Sequence, residues 1–184
     1  MRNQTHISGL NTYVAELRKR DAVEVPEFDP LDGGDKAQVL FLFQKPGPKA
    51  AQSGFISRNN DDSTAAAILA FMKQADIPRK LTVIWNVIPW WNGTVDITAN
   101  ELKDGLKCLE GLVRLLPELR AVMMVGLKAT AARSYLEERA WQIRKPELLS
   151  SDHPGPKVKA RWPERWKAIP SKWAEVCKYV ETGR

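Results

Sequence analysis

The chain is poor in cysteine and histidine, the side chains that most often hold transition metals. Its two cysteines, Cys108 and Cys177, stand far apart and form no CxxC or Cys/His pattern. We therefore expect no disulfide framework, no zinc site and no iron–sulfur cluster. We also expect no other cofactor, and two unpaired thiols favour a reducing, cytoplasmic environment.

Long apolar runs are also missing. Nowhere do about 18 apolar residues stand together, and the first ten residues lack the apolar centre of an export signal. We therefore expect a chain that is neither exported nor inserted into a membrane. Its 184 residues, 43% hydrophobic and 27% charged, have the size and composition of one globular domain spanning residues 1–184. We expect this domain to be monomeric.

Positive charge is what the chain has in excess. The formal net charge is +6 and the pI is near 9.4. The excess is uneven, because eight Lys or Arg stand against three Glu from His153 onward. Such a segment either faces a polyanion such as nucleic acid or is simply a solvated surface, and charge alone does not separate the two interpretations.

Apolar runs alternate with amphipathic segments along the chain. The runs predict four strands, Val39–Phe43, Leu81–Val87, Ala121–Val125 and Glu147–Ser151. Apolar residues at helical spacing predict helices at Ile7–Arg20, Thr64–Gln74, Asn100–Leu116, Ala129–Glu138 and Ser171–Val180. Asp62 or Ser63 can cap the second of these. The alternation predicts a three-layer α/β/α sandwich with a central, mainly parallel four-stranded sheet.

Unusual residues follow three of the predicted strands. They are Gln44–Pro48 after the first strand, Asn86–Gly93 after the second and Asp152–Pro156 after the fourth. Ligands of open parallel sheets bind where the carboxyl ends of the strands meet. The layout alone therefore predicts a binding site made from these three loops.

Four segments of the sequence carry a resemblance to a known family. They are VLFLFQKPGP (39–48), LTVIWNVIPWW (81–91), AVMMVGLKATAARSYL (121–136) and SDHPGP (151–156). In this order and spacing they resemble the motifs of the uracil-DNA glycosylase superfamily. The resemblance implies cleavage of the N-glycosidic bond of a base that has been flipped out of DNA, a step in base excision repair.

Asn86 and His153 match the family's base-reading pair. The resemblance implies that the Asn86 amide hydrogen-bonds the pyrimidine edge, since an amide offers both donors and an acceptor. It implies that His153 donates to the uracil carbonyl as negative charge develops there. The alternative for Asn86 is a strand-end residue that satisfies a turn. His6, the other histidine, is the weaker candidate.

The first motif corresponds to the pocket wall in the family. Gln44 is a candidate for catalysis, Gly47 for base binding, and Pro46 and Pro48 for contact with the DNA backbone. The alternative is a turn that only ends a strand. Phe55 is the candidate for stacking on the extruded base, because stacking needs only an aromatic face. A role in the core is the alternative for Phe55.

The last motif and the residues after it are candidates for binding DNA. In relatives this region enters the minor groove and fills the gap left by the flipped nucleotide. Here it is basic, so phosphate contact is the simpler expectation, and Val158 is the one plausible wedge. The candidates are Pro154, Gly155, Pro156, Lys157, Lys159 and Arg161.

Lys45 departs from the family pattern. Relatives usually carry an acid or amide near this position that activates water, and a charged ammonium cannot accept a proton. Lys45 could bind a DNA phosphate in a protein that does not cut, or attack the sugar as an amine of lowered pKa. Alternatively its side chain points away, and Gln44 or an acidic residue within 59–62 holds the water.

Three functions are therefore compared. The first is a DNA glycosylase that acts on uracil or another deaminated base. The second is a catalytically inactive protein on the same fold that binds lesions or nucleic acid. The third is an enzyme of small nucleotides that shares only the α/β layout.

Overall fold

A parallel four-stranded sheet forms the centre of the protein, which a computed structural model describes over residues 5–21, 24–140 and 145–180. The strands are β1 (Glu27–Phe28), β2 (Val39–Phe43), β3 (Phe55–Ile56), β4 (Thr82–Asn86), β5 (Ala121–Val125) and β6 (Glu147–Ser151). The central sheet has the order β4-β2-β5-β6, and β1 pairs separately with β3. All of these pairings are parallel, which confirms the prediction for the central sheet.

The burial of the strands explains why they could be read from the sequence. Every residue of β2, β4 and β5 is buried, as expected for strands covered on both faces. The edge strand β6 alternates more and carries polar residues. The predicted bounds of β2, β5 and β6 are confirmed, and β4 is one residue shorter at each end than predicted.

Nine α-helical segments are described. They are α1 (Ser8–Asp21), α2 (Pro48–Ser53), α3 (Ser63–Gln74), α4 (Ala99–Arg114), α5 (Leu127–Thr130), α6 (Arg133–Tyr135), α7 (Pro156–Arg161), α8 (Pro163–Lys167) and α9 (Ile169–Ala174). Of the two predicted caps for α3, the structure shows Asp62, which accepts from the amides of Thr64 and Ala65. Helix α4 begins with a capping box between Thr98 and Glu101.

Two predicted helices are broken. The segment predicted as Ala129–Glu138 consists of α5, α6 and a π-helical turn at Leu136–Ala140. Three apolar residues of this segment are buried: Ala129, Ala132 and Leu136. Their helical spacing continues across the break, so the sequence does not reveal it. The last predicted helix begins earlier, at Ile169, with Pro170 in its first turn, and changes to a 3₁₀ turn at Glu175–Lys178.

Helices cover both faces of the sheet and complete the three layers. On one face, α1 and α4 pack together, and the Tyr13 hydroxyl donates to the Cys108 carbonyl at 2.8 Å. On the other face, Trp173 of α9 packs edge-on against Phe41 of β2 and Phe71 of α3. Within the described residues, no helix combines the length and apolarity needed to cross a membrane.

Candidate functional site

A cleft of about 590 Å³ opens at the carboxyl ends of the central strands. Such a volume lies within the range of roughly 300–1,000 Å³ that is typical of small-molecule sites. Its walls come from the turn after β2, the end of β4, the loop before α3 and the loop after β6. The predicted candidates that line it are Gln44, Lys45, Pro46, Gly47, Pro48, Asn86, His153, Pro156 and Lys157.

Asn86 is the buried amide of this cleft. It ends β4 opposite Phe43 of β2 and is only 3% exposed. Its side chain has no hydrogen-bond partner among the described residues, yet its polar atoms are not sealed off from the cleft. An unpaired buried polar group costs about 1–3 kcal/mol. The amide is thus placed to pair with a ligand.

His153 supplies a hydrogen-bond donor to the same cleft. Its Nδ1 accepts from the backbone amide of Gly155 at 3.0 Å, so in the neutral ring the proton lies on Nε2. Burial lowers the pKa of His153, an effect that the nearby carboxylate of Asp62 partly opposes. The ring also stands edge-on to Phe43, with 5.9 Å between the ring centroids. The geometry therefore favours a neutral imidazole with an Nε2–H donor.

Donors from the last helices hold the loop that carries His153. The Trp166 indole donates to the carbonyl of Pro154 at 2.7 Å, and the Trp173 indole donates to the Ser151 hydroxyl at 2.8 Å. Arg165 binds the Asp152 carboxylate with two nitrogens. These anchors fix the main chain on both sides of the histidine.

Two glycines allow this loop to pack closely. Gly126 follows β5 with φ of +88°, and a Cβ placed there would lie 3.2 Å from the Cβ of His153. A Cβ on Gly155 would lie 2.8 Å from the Nδ1 of His153. Both positions therefore require glycine if the imidazole is to keep its place.

Lys45 is tied down beside the cleft. Its ammonium contacts Glu101 Oε1 at 2.8 Å, Asn92 Oδ1 at 2.7 Å and the Asp96 carbonyl at 3.1 Å. Its side chain is 1% exposed. Burial alone would raise the pKa of Glu101, but hydrogen bonds from Lys45 and Thr98 lower it to about 2.

The position of Lys45 bears on the three roles considered for it. An ion-paired ammonium can neither attack a sugar nor accept a proton, and this one is turned toward α4 rather than toward an open phosphate site. The geometry corresponds to the alternative in which the side chain points away, here toward Glu101. The side chain of Gln44 is also held by the protein, since its amide nitrogen donates to the Val95 carbonyl at 3.0 Å.

Asp62 is the one carboxylate among the described residues that line the cleft. Its Oδ1 accepts the amides of Thr64 at 2.8 Å and Ala65 at 2.9 Å, which fixes the carboxyl group at the start of α3. Asp62 and His153 line the same cleft, and the carboxylate opposes the lowering of the His153 pKa by burial. Asp62 therefore fits the sequence-based alternative that an acid within 59–62 holds the water.

A charged cluster below the cleft holds the loop that leads to Asp62. Ser57 donates to the carboxylate of Asp29, and Arg79 donates to Asn59 Oδ1 at 3.3 Å. Arg79 also pairs with Asp29 and Asp32. The loop is thereby anchored to the segment between β1 and β2.

The placement of Phe55 does not support its predicted stacking role. Phe55 is half-buried and does not line the cleft, whereas the next residues, Ile56 and Ser57, do. Successive side chains of a strand point to opposite sides, so a shift of one residue exchanges the candidate. The aromatic residue that lines the cleft is Phe43, which the sequence analysis did not select.

The DNA-binding candidates divide into two groups. Pro154 and Gly155 are buried, and the Gly155 amide donates to Nδ1 of His153; their contact with DNA stays a prediction. Lys159 and Arg161 are exposed but lie outside the cleft, where they stack on Trp166 and Trp162 at 4.8 Å and 4.7 Å. Lys157 lines the cleft and is exposed, which suits a phosphate contact.

Comparisons with known proteins add no family assignment. No protein-family model matches the chain, and no curated protein matches it significantly. Within the described residues, no three potential metal-binding side chains come together.

Proposed function

We propose that this protein recognises a flipped-out uracil or other deaminated base in DNA and hydrolyses its N-glycosidic bond. One observation carries the proposal: Asn86, a buried amide with no hydrogen-bond partner in the described part of the chain, shares a cleft with His153, whose Nδ1 is an acceptor and whose pKa is lowered by burial. Together they offer an amide, with donors and an acceptor, and an imidazole N–H donor to one planar, polar ligand. The uracil edge, with its N–H and carbonyl groups, is complementary to such a pair.

The proposed reaction uses these groups as follows. The bond between the sugar C1′ and the base nitrogen breaks, and its electron pair leaves with the base. Asn86 pairs with the base edge, while His153 donates from Nε2 to the carbonyl oxygen on which negative charge accumulates. A fixed donor stabilises such charge strongly, because it need not reorient during the reaction.

Asp62 acts on the attacking water. It holds the water whose oxygen bonds to C1′, and it accepts the proton that this water loses. Its position at the start of α3 is fixed by two backbone amides, so the carboxylate is preorganised. General-base catalysis of this kind contributes roughly a factor of 10²–10⁴.

A cleavage assay tests this function. Oligonucleotides containing one uracil, hypoxanthine or xanthine are incubated with the protein and then treated with alkali. Strand breakage at the modified position is the expected result for at least one base. The proposal would be rejected if all three substrates stayed intact at protein concentrations that saturate DNA binding.

A matched pair of variants tests the role of Asp62. Asp62→Asn keeps an oxygen for the helix cap but removes the base, so cleavage should fall by roughly 10²–10⁴-fold while DNA binding persists. Asp61→Asn changes the adjacent carboxylate, which does not line the cleft, and should cleave normally. Equal activity of the two variants would remove Asp62 from the mechanism.

The inactive lesion binder is the second candidate. It is favoured by the turn after β2, which carries Lys45 and no carboxylate. The ammonium of Lys45 is itself paired with Glu101. This protein would bind uracil-containing DNA, lose affinity steeply as salt rises, and leave the glycosidic bond intact. Binding without cleavage in the assay above would select it.

A further inference from the structure

One arginine lies behind the loop that leads to Asp62. The guanidinium of Arg79 binds three acceptors with three nitrogens. Its Nε donates to Asp32 Oδ1 at 2.8 Å, its Nη2 to the Asp29 carboxylate, and its Nη1 to Asn59 Oδ1 at 3.3 Å. The two carboxylates belong to the segment between β1 and β2, whereas Asn59 belongs to the loop between β3 and α3. A single side chain therefore joins these two segments.

The two carboxylates give the arginine a fixed support. Both Asp29 and Asp32 are buried, and so is Arg58. Arg58 donates to the Asp32 carboxylate at 3.2 Å and to the Thr82 hydroxyl at 2.6 Å. Two carboxylates thus face two guanidiniums. Replacing buried charges by apolar side chains of similar volume is often neutral for stability or even stabilising, so stability alone does not explain this cluster.

Hydrogen bonds connect the cluster to Asp62. The Ser57 hydroxyl donates to the Asp29 carboxylate and accepts from the amide of Asn59 at 2.9 Å. The Ser57 carbonyl accepts from the amide of Asn60 at 3.3 Å, and the Asn60 carbonyl accepts from the amide of Asp62 at 2.9 Å. A continuous series of hydrogen bonds therefore leads from Asp29 to the residue that lines the cleft.

We propose that Arg79 is a positioning residue: through Asn59 and the loop 57–62, it sets where the Asp62 carboxylate lies in the cleft. This inference rests on the proposed function, in which Asp62 holds the attacking water. Arg79 itself does not line the cleft, so it acts through Asp62 and not on the substrate. A displacement of about 1 Å in a reacting group can slow a reaction roughly a hundredfold, so a well-anchored loop matters for the rate.

Two variants loosen the bridge and leave the charge of the cluster unchanged. Arg79→Lys keeps the cation, but an ammonium lacks the planar fork that reaches three acceptors. Asn59→Ala removes only the acceptor on the loop, and Asn59 is exposed and outside the cleft, so the fold should tolerate this change. In single-turnover cleavage, Arg79→Lys should be roughly ten- to a hundredfold slower and Asn59→Ala roughly three- to tenfold slower, with KM little changed. Asn59→Asp restores an oxygen for Arg79 and should recover the rate.

A double variant separates positioning from a merely structural role. In the Asp62→Asn background, Arg79→Lys should slow cleavage no further, because the carboxylate that it positions is already gone. Arg114→Lys is the matched control, since Arg114 pairs with Glu110 on the surface of α4, outside the cleft, and it should cleave like the wild type. An Arg79→Lys loss that is equal with and without Asp62 would overturn the inference.

An NMR titration makes the test independent of cleavage. The Asp62 carboxylate opposes the lowering of the His153 pKa by burial. Arg79→Lys and Asn59→Ala should therefore lower this pKa further, because the carboxylate loses its fixed place, whereas the surface control should not. An unchanged His153 pKa in both variants would overturn the inference even if cleavage fell. Failure of the proposed function looks different: the wild type would cleave none of the three substrates, while the titration would still show whether Arg79 positions Asp62.

Discussion

Asn86 ends β4 and Lys45 lies just after the neighbouring β2, and both have buried polar side chains, but their partners differ. The Lys45 ammonium has three acceptors, whereas the Asn86 amide has no partner among the described residues. A saturated group stabilises the fold, and an unsatisfied group at a cleft is available to a ligand. The comparison suggests that the first motif builds the wall of the site while Asn86 and His153 form its binding face.

Among Asn86, Lys45 and His153, replacing His153 should have the largest effect. His153→Ala removes the donor that faces developing charge, so cleavage should slow by about 10²–10³-fold. Stability should change little, because the loop keeps its anchors from Trp166 and Trp173. Single-turnover cleavage and thermal melting measure the two effects separately. If His153→Ala melted at a much lower temperature and cleaved normally below that temperature, His153 would stabilise the fold, as Lys45 does, and would not take part in cleavage.

Replacing Lys45 should give the opposite pattern. Lys45→Ala leaves Glu101 largely buried without its cation, and breaking such a pair costs about 3–5 kcal/mol. We expect the free energy of unfolding in urea to fall by about 3 kcal/mol, the lower end of this range, because Glu101 keeps its hydrogen bonds from Asn92 and Thr98. The double variant Lys45→Met with Glu101→Gln should recover much of the loss. Full stability of Lys45→Ala would contradict the structural role.

Replacing Asn86 should weaken ligand binding without cost to the fold. Asn86→Ala removes an amide that has no hydrogen-bond partner among the residues that the structure describes, so unfolding in urea should show equal or higher stability. Affinity for the flipped base should fall by about 1–3 kcal/mol, the cost of an unmet hydrogen-bonding edge. Asn60→Ala, at another amide of the cleft, is the control: Asn60 already donates to the Phe55 carbonyl. A larger loss of affinity for Asn60→Ala would shift base reading to that wall.

The sequence sufficed for the parts of the site that depend on strand ends. The buried runs before Gln44 and Asn86 locate the ends of β2 and β4, and parallel pairing brings those ends together. The partners of Lys45 were out of reach, because Glu101 is 56 positions away and their contact depends on how α4 packs. The sequence also did not show that Ile56 and not Phe55 lines the cleft, because one position along β3 decides which side chain faces it. Stacking by Phe55 stays a prediction.

Acid should have the smallest effect, and on the binding face it acts through His153. Burial lowers the pKa of His153 from its ordinary 6.5, so the folded protein binds this proton less readily than the unfolded chain. Stability from this group is therefore complete above about pH 6.5 and declines as the pH falls toward the folded pKa. Protonation of Nδ1 also breaks its hydrogen bond with the Gly155 amide, so activity should fall over the same range.

A pH series on two proteins isolates this contribution. Wild-type stability and cleavage are measured from neutral pH downward beside His153→Gln, which cannot titrate. The difference in unfolding free energy between the two proteins should shrink as the pH falls below about 6.5, while the Lys45 pair with Glu101, whose pKa is about 2, stays intact. A difference that stays constant with pH would mean that the imidazole is as readily protonated in the folded protein as in the unfolded chain. Burial would then not be what keeps the His153 imidazole neutral.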